Sequence, residues 1–269
     1  KAPEGPAPDG NVVPNGSFEV DPARTWDGTG IAAGWPDTRH PAHGARALRF
    51  RLAKGESFRL RTPCIRFYGN DEEFTLACSA LATGGPASLD VQVHSAMQVQ
   101  QAGPMLALKA QPDGQARRYS AKGRLPSSLN GAYFVQVAGR AEADTDLWLD
   151  AVSLSRKGDA FEPAAPVEAA LSLPALANVL APNEPVKVKL EAFGGGVPWQ
   201  GSLLLQVRDY REQPVAEKRV ALAIGKDALA AREVVLPVSR LGAFRVDAFA
   251  DPERPPLASL VFAVVPRPA

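Results

Sequence analysis

The sequence is poor in the residues from which most enzyme and metal sites are built. It holds 2 cysteines and 3 histidines in 269 residues, too few for a zinc cluster or a disulfide framework. Cys64 and Cys78 do not fit a C-x-x-C pattern. Neither charge dominates: 30 Lys and Arg face 29 Asp and Glu, which excludes a strongly basic nucleic-acid binder and an acidic disordered tail. No run of 18 apolar residues offers a membrane span. There is no G-x-S-x-G and no P-loop. Gly28, Gly30 and Gly34 miss the dinucleotide spacing. His40 and His43 form H-x-x-H, but Pro41 between them precludes the helix turn that a metal pair of that spacing needs. The adjacent Glu72 and Glu73 do not make the two carboxylates across a cleft that glycoside hydrolysis requires. The expectation is a chain without catalytic apparatus.

What the sequence has in quantity is punctuation and alternation. With 25 prolines and 23 glycines, more than a sixth of the positions disfavour long helices. Short strand-like runs recur at 47–53, 57–63, 74–82, 88–95, 132–139 and 147–155. In 88–93 Leu89, Val91 and Val93 alternate with Asp90 and Gln92, the period-2 pattern of a half-buried strand. Many short strands at near-regular spacing argue for an all-β sandwich. Residues 1–9 read as an extended tail: KAPEGPAPDG has no apolar signal segment, as in a mature secreted chain. Alternation lapses over 158–166, read as a linker. It resumes over 167–266 with about seven strands, an immunoglobulin-like number. The chain stops just after the apolar strand 257–265, so a longer natural protein is expected.

The most specific features flank the first half. NVVPNGSFEV (11–20) is followed by Gly34-Trp35, then HGARALRF (43–50), and the half closes on LWLDAVSLS (147–155). This order resembles the carbohydrate-binding modules of the 4/9/22 type, jelly-roll β-sandwiches of the galactose-binding-like class, over residues 10–157. Residues 111–126 fit the late strand of that family, with Ala116 where a Trp is usual. The resemblance implies a structural calcium held by Glu19 and Asp150, with main-chain help from Gly44 and Arg46. Chemistry supports the pairing: two carboxylates brought together repel, and a hard cation ringed by six to eight oxygens removes that cost. The alternative is a solvated Glu, and an Asp bonded to local amides.

Sugar sites stack aromatic rings on the C–H face of a pyranose and set its hydroxyls with polar side chains. Trp26 lies in a long polar loop, where an indole suggests binding; the alternative is a ring folded onto the sandwich edge. Trp35 reads as core. Trp148 points away from Leu147 and Leu149, either lining a concave sheet face or plugging an edge. Tyr68 and Tyr119 are loop or face candidates. Asp90, Gln92, His94 and Gln136 share the polar phase of their strands, either as hydrogen-bonding partners for a sugar or as a solvated outer face. If 60–67 and 74–81 form a hairpin with Phe67 opposite Phe74, bridging Cys64 to Cys78 needs a one-residue slip that turns the apolar set outward, so free thiols are expected.

The resemblance implies the non-catalytic carbohydrate-binding and spacer region of a secreted or cell-surface polysaccharide-degrading enzyme, with a polysaccharide and a downstream glycoside hydrolase domain as partners. The alternative is a structural or interaction module that binds no glycan. Sparse aromatics favour it, and burial of both Trp26 and Trp148 would support it.

Overall fold

The computed structural model describes residues 10–22, 25–29, 34–96, 103–126, 131–253 and 256–266. The chain divides into two compact units, Lys1–Ala165 and Pro166–Ala269. Both are built from β-sheets, and the first is a jelly-roll sandwich.

In the first unit the strands are β1 (Asp27–Thr29), β2 (Gly34–Asp37), β3 (Ala47–Leu52), β4 (Ser57–Arg61), β5 (Ile65–Arg66), β6 (Glu72–Thr83), β7 (Ala87–Ser95), β8 (Leu106–Ala110), β9 (Arg117–Leu125), β10 (Ala132–Ala141) and β11 (Thr145–Ser155). One sheet runs β1-β4-β10-β7-β8, with β5 also on β10; the other runs β2-β3-β11-β6-β9. Every pairing in the two sheets is antiparallel. Alternation decides what faces inward. Leu89, Val91 and Val93 of β7 are buried, while Asp90, Gln92 and His94 between them are half-buried and face out.

Between the sheets Phe50 of β3 stacks on Phe58 of β4, with ring centroids 3.8 Å apart. Each ring lies over a glycine on the neighbouring strand. A Cβ on Gly34 would come within 2.6 Å of the Phe50 ring, and one on Gly139 within 2.2 Å of Phe58. The Gly-Trp dipeptide at 34–35 is therefore a packing device: the glycine admits a ring from β3. Trp35 itself points outward and is 37% exposed, contrary to its reading as core.

Three expectations need correction. The opening segment 11–20, whose Phe18 suggests an N-terminal strand anchored in the core, is not a strand. It follows β11 as a series of turns, with Val12 N–H donating to Leu154 O (3.0 Å) and Val152 N–H to Gly16 O (2.8 Å). Residues 158–165, read as linker, belong to the first unit, and Phe161 packs on His43 at 4.7 Å. The supposed hairpin of 60–67 and 74–81 does not exist, because β4 and β5 lie in one sheet and β6 in the other. Both thiols are free, Cys64 exposed and Cys78 buried. Burial pushes the Cys78 thiol up to about 12.

The second unit comprises β12 (Val167–Ser172), β13 (Val179–Leu180), β14 (Val186–Gly194), β15 (Trp199–Asp209), β16 (Pro214–Ile224), β17 (Leu229–Leu236), β18 (Gly242–Phe249) and β19 (Ala258–Val264). A sheet β12-β14-β17 and a sheet β13-β19-β18-β15-β16 enclose a core that includes Val188, Leu205, Val246 and Phe262. Strand β12 was missed in the sequence because VEAALS lacks alternation; its first five residues are all buried.

Filling the space beneath a stacked ring forces overpacking. Gly139→Val should destabilise the first unit by about 1–3 kcal/mol, seen as a lower urea midpoint. An unchanged midpoint would refute the packing role of this glycine.

Candidate functional site

The two outer faces of the sandwich differ. The face of the β11-centred sheet is covered over β11, while Trp35 on the edge strand β2 stays partly exposed. Strand β11 is buried at nearly every position, and the segment 38–46 lies over it. Trp148 is 4% exposed. Its ring meets His40 edge-on at 4.6 Å and lies under Arg39 and Arg49. Arg49 sits between Trp35 and Trp148, 5.1 Å from each ring centre. It also reaches Asp146 (2.7 Å) and Asp37 (3.5 Å). Asp37 is held well below the usual carboxylate range by its hydrogen bonds from Arg39. Trp148 therefore plugs the face, and a sugar cannot stack on it. Trp26 is corrected likewise. Its indole is 3% exposed, packs on Phe18 at 5.3 Å and donates to Asn15 O. The loop folds it inward because Phe18 and Val13 offer an apolar bed.

Glu19 and Asp150 are brought together on this covered side. Both are 2% exposed. Between β11 residues Asp150 and Ser153 the register with β6 shifts, and Ala151 has a left-handed φ of 51°. This bulge turns Asp150 toward the 42–46 turn. Asp150 accepts from the amides of Ala42 (2.6 Å), His43 (2.9 Å) and Ala151 (2.6 Å). Glu19 accepts from the amides of Ala45 (2.7 Å) and Arg46 (2.9 Å). Gly44, at φ 67°, bends the chain between these two sets of amides. The Arg46 guanidinium donates to Glu19 O (3.2 Å). Burial, reinforced by the Glu19 charge, raises the Asp150 carboxyl to about 8. Two buried acids on one turn meet the charge requirement of a hard cation, while Asp150 is also bonded to local amides, the alternative arrangement for that residue. Among the described residues no third acid, His or Cys joins them, so the remaining oxygens would be main-chain carbonyls or water.

The outer face of the β10-centred sheet is open, and there the register assembles a grid. Across one row stand Asp27, Arg61, Gln136, Gln92 and Ala107; across the next, Arg59, Ala138, Asp90 and Lys109. Phe134 pairs with His94 on one side, and Ser57, Arg140 and Ser88 line up on the other. Phe134 has two close neighbours: Arg61 lies 4.4 Å from its centre, and His94 stacks on it at 5.1 Å with an 11° tilt. Burial, then Arg61, lowers the His94 pKa. Gln92 Oε1 lies 3.0 Å from His94 Nε2, at hydrogen-bond distance. The small Ala138 leaves a depression of about 260 Å³ lined by Ser57, Phe58, Arg59, Ser88, Asp90, Gly139 and Arg140.

Of the sequence-predicted sugar contacts, the structure gathers Gln92, His94 and Gln136. Tyr119 lies on the inward phase of β9, packs against the core and donates to Gln111 O. Tyr68 is half-buried beyond β5. Sequence reasoning missed Phe134, Arg59 and Arg61. The signal was present, since Phe134 shares the outward phase of Gln136.

In chelator-treated protein the folded chain holds the Asp150 proton to about pH 8, whereas an unperturbed Asp carboxyl gives it up near 3.8. Between those values the folded state binds more protons, so stability should fall as pH rises from about 4 to about 8. Urea midpoints across that window should slope less for Asp150→Asn. Equal slopes would exclude Asp150 as the cause.

No protein-family model matches the chain, and no curated protein matches it in sequence. Solved structures resemble it in part. A family 61 carbohydrate-binding module in complex with β-1,4-galactotriose is 16% identical with a TM-score of 0.44, over 54% of this chain and 98% of that one. A family 4 module is 16% identical with a TM-score of 0.38, over 53% and 98%. A family 22 module joined to a family 10 glycoside hydrolase module, from a Clostridium thermocellum xylanase complexed with xylohexaose, is 17% identical with a TM-score of 0.40, over 56% and 29%.

Proposed function

We propose that the first unit is a carbohydrate-binding module whose site is the open face of the β10-centred sheet. In this reading the second unit is an immunoglobulin-like spacer, and the two form a non-catalytic part of a secreted polysaccharide-degrading enzyme. The observation that carries the reading is the grid. An aromatic ring held by Arg61 and His94 stands beside Gln92 and Gln136, and a depression floored by a methyl group lies next to them. Apolar C–H surface finds the Ala138 methyl and the edge of the Phe134 ring there, and hydroxyl groups find amide and carboxylate partners. The chemistry is tethering: binding raises the local concentration of an attached catalytic domain at its polymer.

A second reading has one observation on its side. Both Trp26 and Trp148 are buried, as expected of a structural module that binds no glycan. Affinity electrophoresis in gels containing cellulose, xylan, β-glucan, mannan, galactan or acidic polysaccharides separates the two. Retardation by at least one glycan is expected, with Phe134→Ala weakening it about five- to ten-fold. No retardation by any of them would leave the structural reading.

We also propose calcium as the cation at Glu19 and Asp150, with Gly44 and Arg46 as main-chain candidates. Its chemistry there is neutralisation of two buried acids. Calcium should raise the melting temperature of chelator-treated protein by mass action, and Glu19→Gln should abolish the increment. A melting temperature indifferent to calcium would remove the ion from the account.

A further inference from the structure

The open face is not only polar but lopsided in charge. Arg59 and Arg61 of β4, Arg140 of β10 and Lys109 of β8 stand on it against Asp90 of β7 and Asp27 of β1. This imbalance is local, because the whole chain carries a formal charge of only +1. Two of the arginines, Arg59 and Arg140, flank the depression over Ala138. Among the described residues none of Arg59, Arg61 and Arg140 has a carboxylate at ion-pair distance. The other face shows the contrast: Arg39 and Arg49 are each paired with an acid. Asp90 sits in the same depression without neutralising its neighbours.

From this arrangement we infer that the ligand of the open face is an anionic glycan, a polysaccharide carrying uronic acid carboxylates. The inference rests on the carbohydrate-binding reading above and names its substrate class. A guanidinium presents a planar fork that matches a carboxylate in two hydrogen bonds. A sugar ring seated over Ala138 places a C5 carboxylate at the rim, where Arg59 stands across from Ala138 on β4 and Arg140 two residues further along β10. Asp90 accepts from the hydroxyl groups of that ring and disfavours a densely charged polymer. Arg61 extends the cationic row toward the Phe134 ring. Binding at an exposed basic face weakens as salt rises, because the screening length falls to about 8 Å at physiological ionic strength.

The test uses the full chain with polygalacturonate, alginate and glucuronoxylan, each beside its carboxyl-reduced form, and with dextran sulfate and the neutral glycans as further arms. At least one uronate polymer should bind about ten-fold more tightly than its reduced form. Arg59→Ala and Arg140→Ala should each remove most of that difference, while circular dichroism and melting temperature stay unchanged. Arg59→Lys should restore part of it. Equal binding of acidic and reduced forms would overturn the inference and leave the carbohydrate-binding reading intact. So would binding of neutral glycans alone. Equal binding of dextran sulfate would show that charge is read without the carboxylate, which also overturns it. Binding to no glycan in any arm would remove the underlying reading as well.

Discussion

Two buried carboxylates hold one turn of chain between them, and much of the first unit is arranged around that. Glu19 comes from the opening segment and Asp150 from the closing strand, and both accept amides of residues 42–46. The turn cannot leave without abandoning four N–H groups and two acids to a nearly dry site, which is costly for each group left unpaired. The bulge in β11 is what aims Asp150, at the expense of a left-handed alanine. Once the turn is fixed, the segment from Arg39 to Arg46 is committed to the outer surface of that sheet. The opening residues are committed beside β11 by the same contacts.

That commitment makes the two sides of the sandwich unequal. On one, loop backbone, a guanidinium between two indoles and a chain of ion pairs close the surface. On the other, side chains stand on a regular ladder and touch only one another among the described residues. A ladder of antiparallel strands places neighbours about 5 Å apart across strands, a spacing at which side chains from adjacent strands reach one small ligand. Polar and aromatic side chains line up there because no described segment folds over it, not because its residues are unusual.

Period-2 reading placed the strands at 47–53, 57–63, 74–82, 88–95, 132–139 and 147–155, and it put Gln92, His94 and Gln136 on outward phases. It failed where alternation is absent or misleading. The segment NVVPNGSFEV has strand-like residues, yet Asn15 and Phe18 adopt left-handed backbone and the chain turns. Strand β12 is alanine-rich and buried on both faces. The two indoles were weighed by residue type, and their fate depended on partners far away in sequence: Phe18 for Trp26, and His40 with Arg39 and Arg49 for Trp148. A ring shielded by arginines looks, along the sequence, like a ring offered to solvent. The Glu19–Asp150 approach came from family likeness, because no local pattern relates positions 131 residues apart.

The unequal cysteines give the chain a property of practical use. Cys78 is sealed in the core with its thiol proton held to about 12, so it is inert to electrophiles while the fold persists. Cys64 is in water just ahead of β5, a strand that joins β10 at Tyr133, one residue from Phe134. A single fluorophore attached through a thioether at that position sits at the margin of the open face without any engineering, and its emission would register occupancy of the surface beside it.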